Sequence, residues 1–126
     1  MRKSENPFAE LKNIFHEPNR LAIMAALCNS VDGLTFNQLK EECDLTDGNL
    51  SRHLNALSGV RAVRIRKSFV SGKPQTMVFL SDRGRESFIE YLKALEEVLK
   101  KAADSVATAK SERRRAPLLG VWKPAR

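Results

Sequence analysis

The spacing of apolar side chains predicts four helices in the first half of the chain. Apolar residues recur at the spacing of one helix face after Pro7, and the nearly continuous apolar run after Pro18 predicts a buried second helix. Two short helices follow, opened by the capping residues Thr35 and Thr46. About three residues connect these two helices, which is typical of a helix-turn-helix motif.

After Gly59 the period changes from helical to alternating. Residues 62–80 alternate apolar with polar positions around the turn-forming run 71–74, which predicts a β-hairpin. Helical spacing resumes at Asp82 and predicts a last helix that ends near Lys110. The predicted fold class is mainly α with a small β-hairpin, in the order helix, helix, helix-turn-helix, hairpin and long helix.

The distribution of charge points to an anionic partner. The chain has 22 Lys and Arg against 15 Asp and Glu, a net charge of +7. The segment 48–81 contains six basic residues and no acidic one, where the average composition of the chain would give about four acids. Such a segment is the electrostatic footprint of a phosphate-binding surface, although an ordinary solvated face is the alternative.

Composition and motif spacing narrow the function classes. The chain has 126 residues and is 42% hydrophobic, so we assign one domain to 1–110 and a basic, flexible tail to 111–126. Cys28 and Cys43 are too few for a disulfide scaffold and lack metal-site spacing, so we interpret them as packing residues rather than sensors. The sequence shows neither a signal peptide nor an apolar run of ~18 residues, which favours a cytoplasmic protein without membrane contact. It predicts no catalytic residue, metal or cofactor.

The helix opened by Thr46 has two chemically different faces. Its apolar face consists of three leucines, Leu50, Leu54 and Leu57. The residues opposite this face and beside it are small or polar: Gly48, Asn49, Ser51, Arg52 and Asn55. Arg and Asn can form paired hydrogen bonds with guanine and adenine, and the major groove of DNA admits a helix. We therefore interpret these five as base-reading residues, with a plain solvated face as the alternative.

Basic residues on the hairpin are suited to contacts with phosphates or with the minor groove. The residues assigned to backbone contact are Thr46, Arg64, Arg66, Lys67, Gly72 and Lys73. The alternative is that positive charge protects an exposed edge strand from aggregation.

The last predicted helix carries an apolar stripe longer than a small domain needs. We expect this stripe to pack against a second copy, together with the first helix. The residues assigned to the dimer interface are Phe8, Leu11, Phe15, Tyr91, Leu92, Leu95, Val98, Leu99 and Ala102. The alternative is a helix that folds back on its own domain.

Three segments in order resemble parts of one regulator family. Residues 17–27 are similar to its Asp/Glu-Pro-x-Arg-Leu opening, 45–54 to its recognition helix, and 71–85 to its wing and the entry of its last helix. Over about residues 8–100 the chain thus resembles winged helix-turn-helix transcriptional regulators of the ArsR and MarR type. It departs from them at Arg61, where the family usually has a glycine, and a left-handed backbone there costs other residues about 1 kcal/mol.

The residues and the resemblance together predict a regulator that binds specific double-stranded DNA as a homodimer, more often a repressor in such families. The alternative is a winged-helix module that uses the same face to bind a protein partner or RNA. The tail at 111–126 could be a DNA arm, a partner-docking peptide, a membrane-surface anchor or an uninvolved segment. The sequence assigns neither an operator nor a small-molecule effector.

Overall fold

The computed structural model describes the backbone of residues 7–115 and the side chains of residues 11–113. Within this range the elements are α1 (Pro7–Phe15), α2 (Pro18–Cys28), β1 (Leu34–Thr35), α3 (Phe36–Cys43), α4 (Asp47–Gly59), β2 (Val63–Val70), β3 (Lys73–Leu80) and α5 (Asp82–Arg115). They form two compact units, one that ends at Tyr91 and one that begins at Leu92. The mainly helical fold with a small antiparallel sheet confirms the predicted fold class.

Local hydrogen bonds define where the helices begin. The Thr35 hydroxyl accepts from the Gln38 N–H at 3.0 Å, and the Gln38 side chain accepts from the Thr35 N–H at 2.8 Å, which confirms the predicted capping box. Thr46 caps α4 in the same way through its side-chain oxygen. The cap of α2 is Glu17, with Pro18 as the first helical residue.

The predicted hairpin is part of a three-stranded sheet in the order β1-β3-β2. Strand β1 pairs with β3 through Leu34 and Val78, and it was not predicted because two residues are too few to show an alternating pattern. Ser71 and Gly72 alone form the hairpin turn, with φ values of +54° and +78°. These values are those of a two-residue type I′ turn, so residues 73–74, which were predicted as turn, begin β3 instead.

The described core of the unit that ends at Tyr91 lies between the helices and the sheet. The three leucines of α4 are buried there, and so are side chains from α2, α3 and β3. The α1 and α5 helices meet in an aromatic cluster, where the ring of Phe15 contacts the rings of Phe88 and Tyr91 edge-on at centroid distances of 5.2 and 5.7 Å.

This cluster corrects part of the predicted dimer interface. Leu11, Phe15 and Tyr91 are buried in the core of their own chain, so they have no surface to offer a second copy. Phe8 lies outside the residues whose side chains are described. Helical spacing indicated a buried face in each case, but it could not tell whether the same chain or a partner covers it.

The end of α5 also differs from the prediction. The helix continues to Arg115 rather than ending near Lys110, so the first residues of the predicted tail are helical. The remainder of that tail, 116–126, lies outside the described residues.

Arg61 adopts the left-handed backbone that the family resemblance implies for its position, with a φ of +63°. Its N–H donates to the Ser58 carbonyl at 2.9 Å, and the Ala62 N–H donates to the Leu57 carbonyl at 2.9 Å. These two bonds form a Schellman motif, the common end of a helix that turns away from its axis. The chain therefore turns from α4 towards β2 at a left-handed residue, although that residue is arginine rather than glycine.

The carbonyl of Ala62 is the point where α4, β2 and α5 meet. It accepts from the Ser81 N–H at 3.1 Å, and the Ser81 hydroxyl shares its proton between the carbonyls of Arg61 and Ala62, at 2.7 and 3.0 Å. The same hydroxyl accepts from the Gly84 N–H at 2.8 Å and so caps α5. A Cβ at Gly84 would overlap the Ala62 carbonyl, so this contact requires glycine.

We expect Arg61→Gly to raise the free energy of unfolding by about 1 kcal/mol, because glycine adopts a positive φ without a Cβ clash. Urea unfolding followed by circular dichroism measures the change. The Arg61→Ala control removes the same charge but keeps the Cβ, and it should gain no such stability. Equal stability of the two variants would contradict this explanation.

Candidate nucleic-acid interface

The leucine face of α4 determines which of its side chains reach solvent. Leu50, Leu54 and Leu57 are buried against the core, so the opposite side of the helix faces outward. All five predicted base-reading residues are exposed: Gly48, Asn49, Ser51, Arg52 and Asn55. We call these five residues the recognition face.

Two residues of the recognition face are hydrogen-bonded to each other. The Arg52 guanidinium donates to the Asn49 side-chain oxygen at 2.8 Å, one helical turn apart. This bond holds the guanidinium over the N-terminal half of α4, the part of such a helix that reads bases. The remaining N–H groups of Arg52 are still available to a guanine edge.

The N-terminal end of α4 is suited to hold a phosphate. The Thr46 oxygen accepts from the Asn49 N–H at 3.1 Å, which leaves the hydroxyl proton free to donate. The first backbone N–H groups of a helix have no partner within the helix and point along its positive dipole end. The nearby Asp47 carboxylate is paired with the Lys40 ammonium at 2.8 Å, which offsets the one acidic charge at this end.

A polar network connects α2 with the buried side of α4. Its members are Glu17, Arg20 and His53, and His53 is only 3% exposed. Arg20 donates to the Ile14 carbonyl at 2.7 Å and lies 3.2 Å from the His53 Nδ1 atom. Since a guanidinium can only donate, this Nδ1 atom accepts and carries no proton. Arg20 thereby joins the end of α1 to the helix that bears the recognition face.

The pKa values of two members follow from this arrangement. Burial lowers the pKa of the His53 imidazole below its ordinary value near 6.5; the charges of Arg20 and Arg52 add to this shift, while Glu17 opposes it. Burial acts to raise the pKa of the Glu17 carboxyl. The N–H of Arg20 and the charges of His53 and Arg20 outweigh that effect, so the Glu17 pKa is lowered. The network thus favours a neutral histidine beside an ionised carboxylate.

The wing, residues 63–80, presents its basic side chains on two faces. Arg64 and Arg66 lie on the outer face, where the Arg66 guanidinium stacks on the Phe79 ring at 4.8 Å. Lys67 lies on the opposite face, in phase with the core-facing Val63. All three cations are exposed, as is Lys73 beside the turn. The predicted wing contacts could therefore approach a duplex from both faces of the hairpin.

The most exposed aromatic side chain in the described part of the wing was not among the predicted site residues. Phe69 lies two residues before the turn and is 74% exposed. Its alternation with Val63 and Ile65 would assign it to the buried face. Its position beside the hairpin turn is the signal of its exposure, because the end of a hairpin extends past the helices that cover its base.

Both cysteines are half-buried free thiols. Burial raises the pKa of the Cys28 and Cys43 thiols, which disfavours the reactive thiolate at neutral pH. Among residues 11–113, no three His, Cys, Asp or Glu side chains are grouped as metal ligands. None of the helices in the described range has the length and apolar character of a membrane-spanning segment.

Comparison with known proteins identifies the family. The profile of the family described as winged helix DNA-binding domain matches residues 19–99. This chain belongs to that family. An uncharacterised protein of Methanocaldococcus jannaschii is 37% identical to this winged helix protein over 79 residues, which cover 63% of this chain and 85% of the relative.

Solved structures share the fold. A transcriptional regulator homologue from Pyrococcus horikoshii has 28% identity and a TM-score of 0.67, covering 75% of this chain and 96% of that chain. A MepR–DNA complex from Staphylococcus aureus has 16% identity and a TM-score of 0.57, covering 82% and 88%. A MarR-family regulator from Silicibacter pomeroyi has 17% identity and a TM-score of 0.52, covering 89% and 80%. The family and fold are those of DNA-binding transcriptional regulators rather than enzymes.

We expect the winged helix domain to lose stability as the pH falls from about 7.5 to 5.5. Because the native pKa of His53 is lowered, the unfolded chain takes up a proton first, below its ordinary value near 6.5. The contribution of the neutral His53 side chain to the free energy of unfolding is therefore complete above that pH and declines below it. Urea unfolding at a series of pH values measures this dependence.

The His53→Gln variant should show a weaker dependence, because an amide oxygen can still accept from Arg20 and does not titrate. His16→Gln is the matched control, since His16 lies outside the polar network and its Nδ1 atom contacts the Tyr91 hydroxyl at 3.0 Å, a bond that a glutamine amide can also make. An unchanged pH profile in His53→Gln would contradict the role given to this residue.

Proposed function

We propose that this protein is a cytoplasmic, homodimeric regulator that binds specific sites in double-stranded DNA and represses transcription by occupying them. The observation that carries the proposal is the recognition face, a polar surface on α4 that three buried leucines hold outward. Its arginine and asparagines match the hydrogen-bonding groups of guanine and adenine in the major groove. Occupation of a site excludes other proteins from the same duplex, which is the simplest route to repression.

The charge around this face supports a duplex as the partner. Residues 48–81 include all of α4 after Asp47 and the whole wing, and they contain no acidic residue. Phosphate contacts from Thr46, Arg64, Arg66, Lys67, Gly72 and Lys73 would set the register of the protein without reading sequence. Binding should therefore weaken steeply with salt. A module that binds a neutral protein surface would show little salt dependence.

The second compact unit supports the homodimer. Apolar residues between Leu92 and Arg115 recur at alternating steps of three and four: Leu92, Leu95, Leu99, Ala102 and Val106. Val98 and Leu99 are 60% and 58% exposed, and Leu92 and Ala102 are also exposed. This spacing is the heptad pattern by which two helices pack together. A dimer would bring two recognition faces to half-sites about one helical turn of DNA apart.

We expect Arg52→Ala to weaken binding to the preferred duplex by about 1–3 kcal/mol and to relax specificity at one base position. Selection of duplexes from a random pool supplies the preferred sequence, and fluorescence anisotropy across a salt series measures the affinity. Lys73→Ala should weaken all duplexes alike and reduce the salt slope by about 1.

Lys12→Ala is the matched control for charge, because Lys12 is an exposed cation on α1, outside the recognition face and the wing. It should leave base preference unchanged. Binding that is independent of salt, or no duplex binding near 100 mM salt, would favour the protein-binding alternative. Parental binding by both Arg52→Ala and Lys73→Ala would refute the assignment of the groove contacts.

We expect Leu99→Asp to convert the dimer into a monomer, because it places a charge in the apolar stripe. Analytical ultracentrifugation should show the mass fall from twice the 14.2 kDa of one chain to that of one chain. Ala107→Asp adds the same charge beside the stripe and should remain dimeric. A parental chain that sediments as a monomer at micromolar concentration would overturn the homodimer.

A further inference from the structure

The end of the wing carries an apolar group that no other described part of the chain covers, residues 11–113 being those whose side chains are described. Phe69 is 74% exposed and Val70 is 49% exposed, directly before the two-residue turn. Pro74 pairs with Phe69 across the hairpin and is exposed as well. Burial of one phenylalanine side chain is worth roughly 1.5–3 kcal/mol, so a partner that covers this group gains binding energy from it.

The pairing of β2 with β3 holds the backbone of Phe69 in a defined position. Proline has no N–H, so the Phe69–Pro74 pair cannot exchange both ladder bonds and belongs to the non-hydrogen-bonded class, in which opposing side chains come closest. The type I′ turn keeps the two strands aligned up to the end. The ring thus stands on a continuously paired hairpin with a two-residue turn rather than on a loose loop.

The charges around the ring define what the partner must be. Lys67 lies on the same face two residues before Phe69, and Lys73 follows the turn. Both are exposed, and no acidic residue occurs between 48 and 81. The partner must therefore present a flat apolar surface flanked by negative charge. The flat faces of DNA bases, which become accessible where one base step unstacks and which phosphates border on both sides, have this combination.

We propose that Phe69 is a wedge that enters the minor groove and partly unstacks one base step, so that the duplex bends. This inference rests on the proposed function, because the hairpin reaches the minor groove only when α4 lies in the adjacent major groove. Apolar side chains of this kind bend DNA by roughly 20–90°. Pyrimidine–purine steps unstack most easily, so the wedge selects a TA or CA step without a hydrogen bond to any base.

The experiment uses the full chain and the duplex recovered from the random pool. The adenine of each TA or CA step is replaced in turn by 2-aminopurine, whose fluorescence rises when it unstacks. Fluorophores at the two ends of the duplex report its bend. The variants are Phe69→Ala and Phe69→Leu, and the control is Val31→Ala, which removes an 86% exposed side chain between α2 and β1.

The parental protein should raise the 2-aminopurine signal at one step per half-site and shorten the end-to-end distance. Phe69→Ala should lose both signals and bind about ten-fold more weakly, with an unchanged salt slope because no phosphate contact is removed. Phe69→Leu should retain part of the bend, and Val31→Ala should match the parent. A general disruption of the wing would alter the salt slope too, and that result would overturn the wedge.

The two proposals fail in distinguishable ways. If the parental protein binds the duplex and Phe69→Ala binds and bends it equally well, the wedge is wrong and the proposed function stands. If the parental protein binds the duplex without unstacking or bending it, the wedge is also wrong. If the parental protein recovers no duplex from the pool, the proposed function and the wedge fall together.

Discussion

The carbonyl of Ala62 is the contact on which the arrangement of this domain depends. The end of α4, the first residue of the wing and the cap of α5 all meet there, through two donors of Ser81 and the close approach of Gly84. The direction in which the wing leaves α4 is consequently constrained by backbone atoms and by the short Ser81 side chain rather than by long, adaptable side chains. The left-handed Arg61 completes this junction from the α4 side, at a cost in backbone energy.

The sequence predicted those features that depend on local chemistry. The capping residues Thr35 and Thr46, the leucine face of α4 and the hairpin were each predicted from a few neighbouring side chains, and the structure has them in place. Features that depend on distant partners were not predictable in this way. Strand β1 exists only because β3 lies beside it. The assignment of Leu11 and Phe15 to the dimer interface was wrong, because periodicity does not show whether the same chain or a second copy covers an apolar face.

The candidate site shows the same division. The exposure of all five recognition-face residues follows from the position of the leucines, so the helical periodicity was enough to predict it. The network of Glu17, Arg20 and His53 joins residues far apart in the chain, and no spacing rule marks it. Phe69 is the opposite case, because alternation predicts burial for a side chain that the length of the hairpin carries beyond the helices. How far a strand extends past its neighbours is a property of the assembled fold.

The aromatic cluster between α1 and α5 has a consequence for the boundaries of the folding unit. The family profile begins at residue 19, after α1, yet Phe15 fills the space beside Phe88 and Tyr91. A fragment trimmed to the matched span would leave two aromatic rings without their neighbour and would expose apolar surface prone to self-association. The first helix is thus an integral layer of this domain rather than a leader attached to it.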